Sequence, residues 1–159
     1  RSLFIKNQFN YKGRTYKKNK YTNMATLKPS YANKASITIS LNNLANNAVA
    51  TSNAIDNSSN LYQDALVEVI IKGTAAANAF CDVRLLCSED NSAWGTWESA
   101  IRLGTIDLSV SPNTGHFSLV NMLYQMPKYW KLAVKNVTGN ALAAADNSAS
   151  YQGINVISA

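Results

Sequence analysis

The chain has 159 residues, which fits one domain with an appended segment and can bury a core without disulfides or metal. Hydrophobic residues make up 47% and charged residues 15%, so the bulk of the chain is not expected to be intrinsically disordered. The sequence has neither an apolar run of roughly 18 residues nor the apolar core of a secretory signal, so we expect no membrane contact and no export route.

The net charge of +6 is distributed unevenly along the chain. Residues 1–34 carry nine Lys and Arg and no acid, whereas residues 35–159 carry six bases and all nine acids. This asymmetry predicts a basic N-terminal arm over residues 1–34 and a mildly acidic domain over residues 35–159. Such an arm either has an acidic partner or is a solvated tail.

Within the arm, aromatic side chains alternate irregularly with basic ones, and there is no periodic apolar face. Met24 opens a stretch typical of a protein start, so residues 1–23 are either translated upstream sequence or a real extended arm, and we retain the arm. Rings and cations suit an acidic protein surface, which we prefer, or nucleic acid, where rings stack on bases. The candidate anchors are Phe4, Phe9, Tyr11, Tyr16 and Tyr21, and the candidate cations are Lys12, Arg14, Lys17, Lys18 and Lys20.

From residue 35 onward, apolar and polar residues alternate as they do in β-strands. The clearest case is 61–72, where Ala65, Val67, Val69 and Ile71 would share one face. About eight strands separated by short turns predict an all-β antiparallel sandwich, with a jelly roll preferred among sandwiches. The predicted strands are 35–41, 49–55, 61–72, 79–88, 101–110, 115–122, 129–137 and 148–157.

The two cysteines, Cys81 and Cys87, lie six residues apart in one predicted strand. Their Cα atoms would be roughly 20 Å apart, well beyond the roughly 7 Å limit of a disulfide. Both fall on the apolar face of the strand, which predicts buried free thiols and suits folding in a reducing cytoplasm.

Residues with catalytic or metal-binding chemistry are few. The single histidine, His116, has no accompanying nucleophile elbow and is predicted to be a surface or packing residue. Asp64 and Glu68 share a strand face but would lie about 13 Å apart, too far for a glycosidase pair. One histidine with two cysteines predicts no zinc site, and residues 89–91 lack the spaced ligands of a calcium loop. We therefore expect no enzyme activity, metal or cofactor.

Trp94 and Trp97 flank Gly95 in a predicted loop between two strands. Tryptophans in such a loop can cap one end of the core, the interpretation we favour. They can also be exposed, where they stack on sugar rings or anchor an interface.

Five segments of the domain carry a recognisable set of turn and strand signatures: 40–50, 55–67, 102–106, 129–139 and 151–154. Together they resemble a group of small β-sandwich structural proteins from the virions of tailed phages. The likeness spans roughly residues 36–155 and covers neither the arm nor the loop at 93–99. The resemblance implies a virion component, folded in the host cytoplasm, that binds the major capsid protein, other virion proteins or copies of itself.

Among virion roles we prefer a capsid decoration (cement) protein, whose arm would attach it to neighbouring capsid subunits. A tail or fibre component is the alternative within the virion. A carbohydrate-binding sandwich that uses Trp94 and Trp97 is the alternative outside it, and binding of nucleic acid by the arm is less favoured.

Overall fold

A computed structural model describes residues 27–119 and 126–158 of the chain. These residues form ten β-strands and no helix, and every pair of neighbouring strands is antiparallel. The prediction of an all-β antiparallel sandwich is therefore confirmed. The strands are β1 (Leu27–Tyr31), β2 (Ala35–Ile37), β3 (Val49–Thr51), β4 (Ile55–Asp56), β5 (Asp64–Ile71), β6 (Phe80–Ser88), β7 (Ile101–Asp107), β8 (Asn113–Ser118), β9 (Tyr129–Val137) and β10 (Ser148–Ser158).

The strands form two sheets with four positions each. In the β5–β10 sheet, β1 and β2 share the edge next to β10, and β5 and β8 follow. In the β6–β9 sheet, β3 and β4 share the edge next to β9, and β6 and β7 follow. The finer prediction of a jelly roll stays a prediction.

Alternate side chains of the central strands fill the space between the two sheets. Val67 and Val69 of β5 and Val83 of β6 are fully buried and belong to one core cluster. The Trp130 ring of β9 meets the Tyr151 ring of β10 edge-on, with centroids 5.3 Å apart, and so links the sheets through an aromatic pair. The inward face predicted for β5 is confirmed, since all four of its predicted members are buried.

Several strand boundaries differ from the sequence prediction: β5 begins at residue 64 rather than 61, β7 ends at 107 rather than 110, and β8 begins at 113 rather than 115. β2 ends at residue 37 rather than 41. The predicted strand 49–55 is divided into β3 and β4, because Ser52 turns inward and its hydroxyl accepts the Leu132 N–H. Residues 27–31, predicted as arm, form β1 and pair with β10 over their whole length, so this stretch extends the sheet. All ten candidate arm residues, which fall within 4–21, lie outside the described residues.

Asparagine occupies turn positions that glycine takes in many proteins. Asn43, Asn47, Asn78 and Asn91 have φ angles between 57° and 64°. This left-handed region is unfavourable for most side chains, but asparagine tolerates it because its short amide can bond to nearby backbone. The many asparagines and few glycines of the sequence are thus explained in part by the turns between strands.

Asn136, on the inward face of β9, holds two loops at one end of the sandwich. Its side chain is fully buried, and Nδ2 donates to the carbonyls of Leu44 and Asn140, each at 2.8 Å. Its Oδ1 accepts the Thr138 N–H at 3.0 Å. A polar side chain is tolerated in the core here because its hydrogen-bonding groups are satisfied.

Candidate interaction face

The outer face of the β6–β9 sheet is covered by residues 89–100, which we call the tryptophan loop. The Arg84 guanidinium lies 4.3 Å from the centroid of the Trp97 ring and donates a 2.9 Å hydrogen bond to the Trp97 carbonyl. The Lys131 Nζ lies 4.1 Å from the centroid of the Trp94 ring. These cation–π contacts fasten the loop to the outward side chains of β6 and β9.

Two apolar residues beneath the tryptophan loop are buried although they point away from the core. Leu86 is 7% exposed and Ala133 is 1% exposed. A Cβ atom on Gly95 would lie 3.9 Å from Leu86 Cδ2, which places the loop directly above this side chain. Trp94 and Trp97 therefore lie on an outer face rather than at an end of the core, and each ring already contacts a cation of the same chain.

Ionic contacts reinforce this covered face. Asp82, which is 7% exposed, accepts hydrogen bonds from Nε of Arg84 at 3.1 Å and from Nε of Arg102 at 2.9 Å. At the start of the loop, Asp90 accepts hydrogen bonds from the Ser92 hydroxyl and from the N–H groups of Ser92 and Ala93. These bonds hold the pKa of Asp90 well below its usual range. In the described part of the chain, no group of three or more side chains is arranged to hold a metal ion.

The outer face of the β5–β10 sheet carries an uncovered group of apolar side chains, which we call the apolar face. Residues directly opposite each other in an antiparallel pair point to the same side of the sheet. Since Val67 and Tyr151 point into the core, the residues next to them point outward. The apolar face consists of Leu27, Pro29 and Tyr31 on β1, Leu66 on β5, and Ile154 and Val156 on β10.

These side chains are accessible to solvent to an unusual degree for large apolar residues. Leu27 is 68% exposed, Tyr31 62%, Val156 43% and Leu66 41%. The solvent-facing side of an antiparallel sheet normally carries polar residues. A contiguous exposed apolar patch on a soluble fold marks an interaction site more often than a neutral surface.

Polar and charged side chains border the apolar face towards β8. Glu68 forms an ion pair with Lys34, and its Oε2 lies within hydrogen-bond distance of His116 Nε2, at 3.1 Å. The hydrogen bond from Lys34 is the main cause of the lowered pKa of Glu68. The His116 side chain is 56% exposed, which agrees with the first of the two roles predicted for it, a surface or a packing residue. Asp64 and Glu68 both lie on the outward side of β5, as predicted.

The edge of β1 that pairs with no described strand is interrupted by a proline. Ala32 donates its N–H to the Gly153 carbonyl of β10 at 2.9 Å. Because backbone groups of successive residues point to alternate sides, Ser30 also faces β10 and Pro29 faces the open edge. Proline has no N–H, so this edge lacks a donor at its centre.

A groove of about 620 Å³ lies beside β7 on the other sheet. Its lining includes Phe80, Arg102 and Asp107. The charged groups are already engaged within the fold, since Arg102 bonds to Asp82 and the Asp107 carboxylate accepts from Ser109. The groove is therefore a weaker candidate for a binding site than the apolar face.

Both cysteines are free, as predicted, and lie in β6. Cys81 is completely buried, and burial raises the pKa of its thiol to about 12. Burial also raises the pKa of the partly buried Cys87 thiol. Neither thiol has the lowered pKa that a reactive cysteine requires.

The apolar face was not predicted from the sequence, although β10 contains a signal for it. Ile154 and Val156 fall on the opposite parity from Ala149 and Tyr151, so this strand carries apolar residues on both sides. A strand of that pattern is typical of one that is covered on both faces. In the described structure neither side is covered at the end of the strand, where Val156 and Ile157, on opposite faces, are each 43% exposed.

No family model and no curated protein matches this chain. The described residues contain no helix that is able to span a membrane, since they are all strand, turn or irregular segment.

Proposed function

We propose that this chain is a non-enzymatic structural protein of a phage virion, and specifically a capsid decoration (cement) protein. The observation that carries the proposal is the apolar face, where four large side chains are between 41% and 68% exposed on one sheet. Leaving such surface in water is unfavourable, and contact with a partner protein removes it from water. A protein whose function is to pack against other subunits would bury this face in the contact.

The N-terminal arm supports the same function because of where it meets the domain. Leu27 belongs to the apolar face, and residues 1–26, which precede it, contain seven Lys and Arg and no acid. A partner that covers the face is therefore within immediate reach of the arm. Two attached elements on one chain bind more tightly than either alone, because the second contact is intramolecular. This combination suits a protein that fastens neighbouring subunits of a shell.

The strand order supports the finer fold assignment within this proposal. One sheet has the order β1/β2, β10, β5, β8, and the other has β3/β4, β9, β6, β7. We take these eight positions as a jelly roll, an architecture found in viral capsid and lectin domains. Fold is a weaker argument than the site, since one fold hosts many functions. The resemblance to small virion proteins of tailed phages points in the same direction.

The proposal is tested by quantitative mass spectrometry of purified phage particles that encode this chain. A copy number close to that of the major capsid protein is the expected result. A number far below it would assign the chain to the tail or a fibre instead. Absence from the particles would overturn the virion proposal, and loss of attachment on deleting residues 1–23, with the domain still folded, would support the role of the arm.

A further inference from the structure

We infer that the apolar face docks onto a protein surface that is apolar at its centre and rich in carboxylates next to β1, and that it docks through side chains rather than by adding a strand. This inference rests on the proposed function and specifies the partner chemistry of the site. It follows from the charge of the sequence that precedes the face, from the size of the face and from the proline on the outer edge of β1.

The charge next to the face indicates what its partner must carry. The nearest of the seven cations in residues 1–26 is Lys20, seven residues before Leu27. At about 3.3 Å for each extended residue, the chain keeps Lys20 within about 23 Å of Leu27. A partner that covers Leu27 and Tyr31 is therefore within reach of the positive charges that precede them in the chain. Carboxylates on the partner would balance these charges, and complementary charge also speeds association.

The same charges disfavour a second copy of the chain as the partner. A symmetric dimer through this face would bring both Leu27 residues, and with them the residues to which a basic segment is attached, to one interface. Each segment carries seven cations and no anion to balance those of the other. Like charges brought together at an interface cost free energy and suppress that pairing.

The size of the face shows that it is the centre of the contact rather than the whole of it. A standard protein interface buries about 800 Å² on each partner. Six partly exposed side chains fall short of this area, so adjoining segments must contribute the remainder. The apolar centre and charged surroundings match the usual arrangement of an apolar core with a polar rim.

Pro29 determines how the face docks. Strand addition would need the outward N–H and C=O groups along the open edge of β1. Pro29 sits in the middle of this edge and supplies no N–H, and it also contributes its ring to the apolar face. The partner therefore contacts the face from above and does not extend the sheet.

The test compares two valines with similar exposure on opposite sheets. Val156 is 43% exposed on the apolar face, and Val49 is 40% exposed on β3 of the other sheet. Full-length wild type, Val156→Asp and Val49→Asp are titrated onto phage particles assembled without this chain, and bound protein is measured after sedimentation. We expect at least tenfold weaker binding for Val156→Asp and less than a twofold change for Val49→Asp, with thermal unfolding of each variant measured in parallel. Tyr31→Asp on β1 provides a second variant of the face should Val156→Asp not fold.

Different outcomes separate this inference from the proposed function. If wild type binds the particles and Val156→Asp and Tyr31→Asp bind as well as Val49→Asp, the docking surface is wrong while the virion function stands. If wild type itself does not bind, the proposed function fails. A wild-type dimer in light scattering that Val156→Asp converts to a monomer would make the face a contact between copies and overturn the acidic partner. Binding that disappears when the particles are treated with nuclease would assign the partner to nucleic acid and overturn it as well.

Discussion

Replacing Asn136 with alanine is expected to destabilise the sandwich by about 3 kcal/mol, because the amide side chain satisfies three backbone groups at once. The Thr138 N–H would lose its 3.0 Å acceptor in a buried position, which costs about 1–3 kcal/mol. Loss of the amide donor costs the carbonyls of Leu44 and Asn140 less, because each accepts a second hydrogen bond. Leu44 O also accepts the Leu142 N–H, and Asn140 O also accepts the Thr138 hydroxyl.

The assay is urea denaturation followed by circular dichroism, with the free energy of unfolding compared between variant and wild type. Asn33→Ala, at an exposed asparagine, serves as the control and should change stability by less than about 0.5 kcal/mol. A loss below about 1 kcal/mol for Asn136→Ala would refute the reasoning, since it would mean that the loops do not depend on this amide.

Asn136→Asp tests the direction in which the stability of a variant at this position changes with pH. The carboxylate keeps an acceptor for Thr138 but points a negative oxygen at two carbonyls in a buried site, so its pKa in the folded state must rise above about 3.9. A group whose pKa is raised by folding binds its proton more tightly in the native state. The variant should therefore be closest to wild type below about pH 4 and lose stability as the pH rises through the raised pKa. A constant difference between pH 3 and pH 7 would contradict this account.

Three further expectations concern the core. Burial raises the pKa of the Cys81 thiol from 9.0 to about 12, so the contribution of the neutral thiol to stability should be complete below about pH 9 and decline as the pH rises towards 12. Iodoacetamide at pH 8 should label Cys87 before the fully buried Cys81, as peptide mass spectrometry would show. Gly153→Ala should cost about 1–3 kcal/mol because the added methyl collides with the Tyr62 ring, and the loss should shrink in a Tyr62→Ser background; equal losses in both backgrounds would exclude the collision as the cause. Trp130→Ala should cost about 3–5 kcal/mol in urea denaturation, since the ring is 1% exposed and links the two sheets, and a change under 1 kcal/mol would show that the sheets do not depend on it.

The sequence predicted the central strands well because one of their faces is buried. β9 was placed correctly to the residue, since Trp130, Leu132 and Val134 alternate with outward lysines. Short edge strands were less predictable. β1 contains Pro29 and adjoins the basic segment, so neither its composition nor its alternation indicated a strand, and only its pairing with β10 establishes it.

The candidate sites depended on contacts between distant parts of the chain, which alternation does not reveal. The position of Trp97 follows from the Arg84 guanidinium, 13 residues earlier, against which it packs. The apolar face combines β1, β5 and β10, which come from the two ends and the middle of the described chain. No single segment contains enough of it to be recognised, although Ile154 and Val156 gave a partial signal.

The positions of the three tryptophans allow intrinsic fluorescence to follow the tryptophan loop and the core separately. Trp130 is enclosed between the sheets, whereas Trp94 and Trp97 lie under cations on an outer surface. Loosening of the tryptophan loop would change the emission of two indoles and leave the third unaltered, because local segments can open without unfolding the core. A fluorescence melt of Trp130→Phe beside that of the wild type would therefore separate release of the loop from separation of the sheets, without any attached dye.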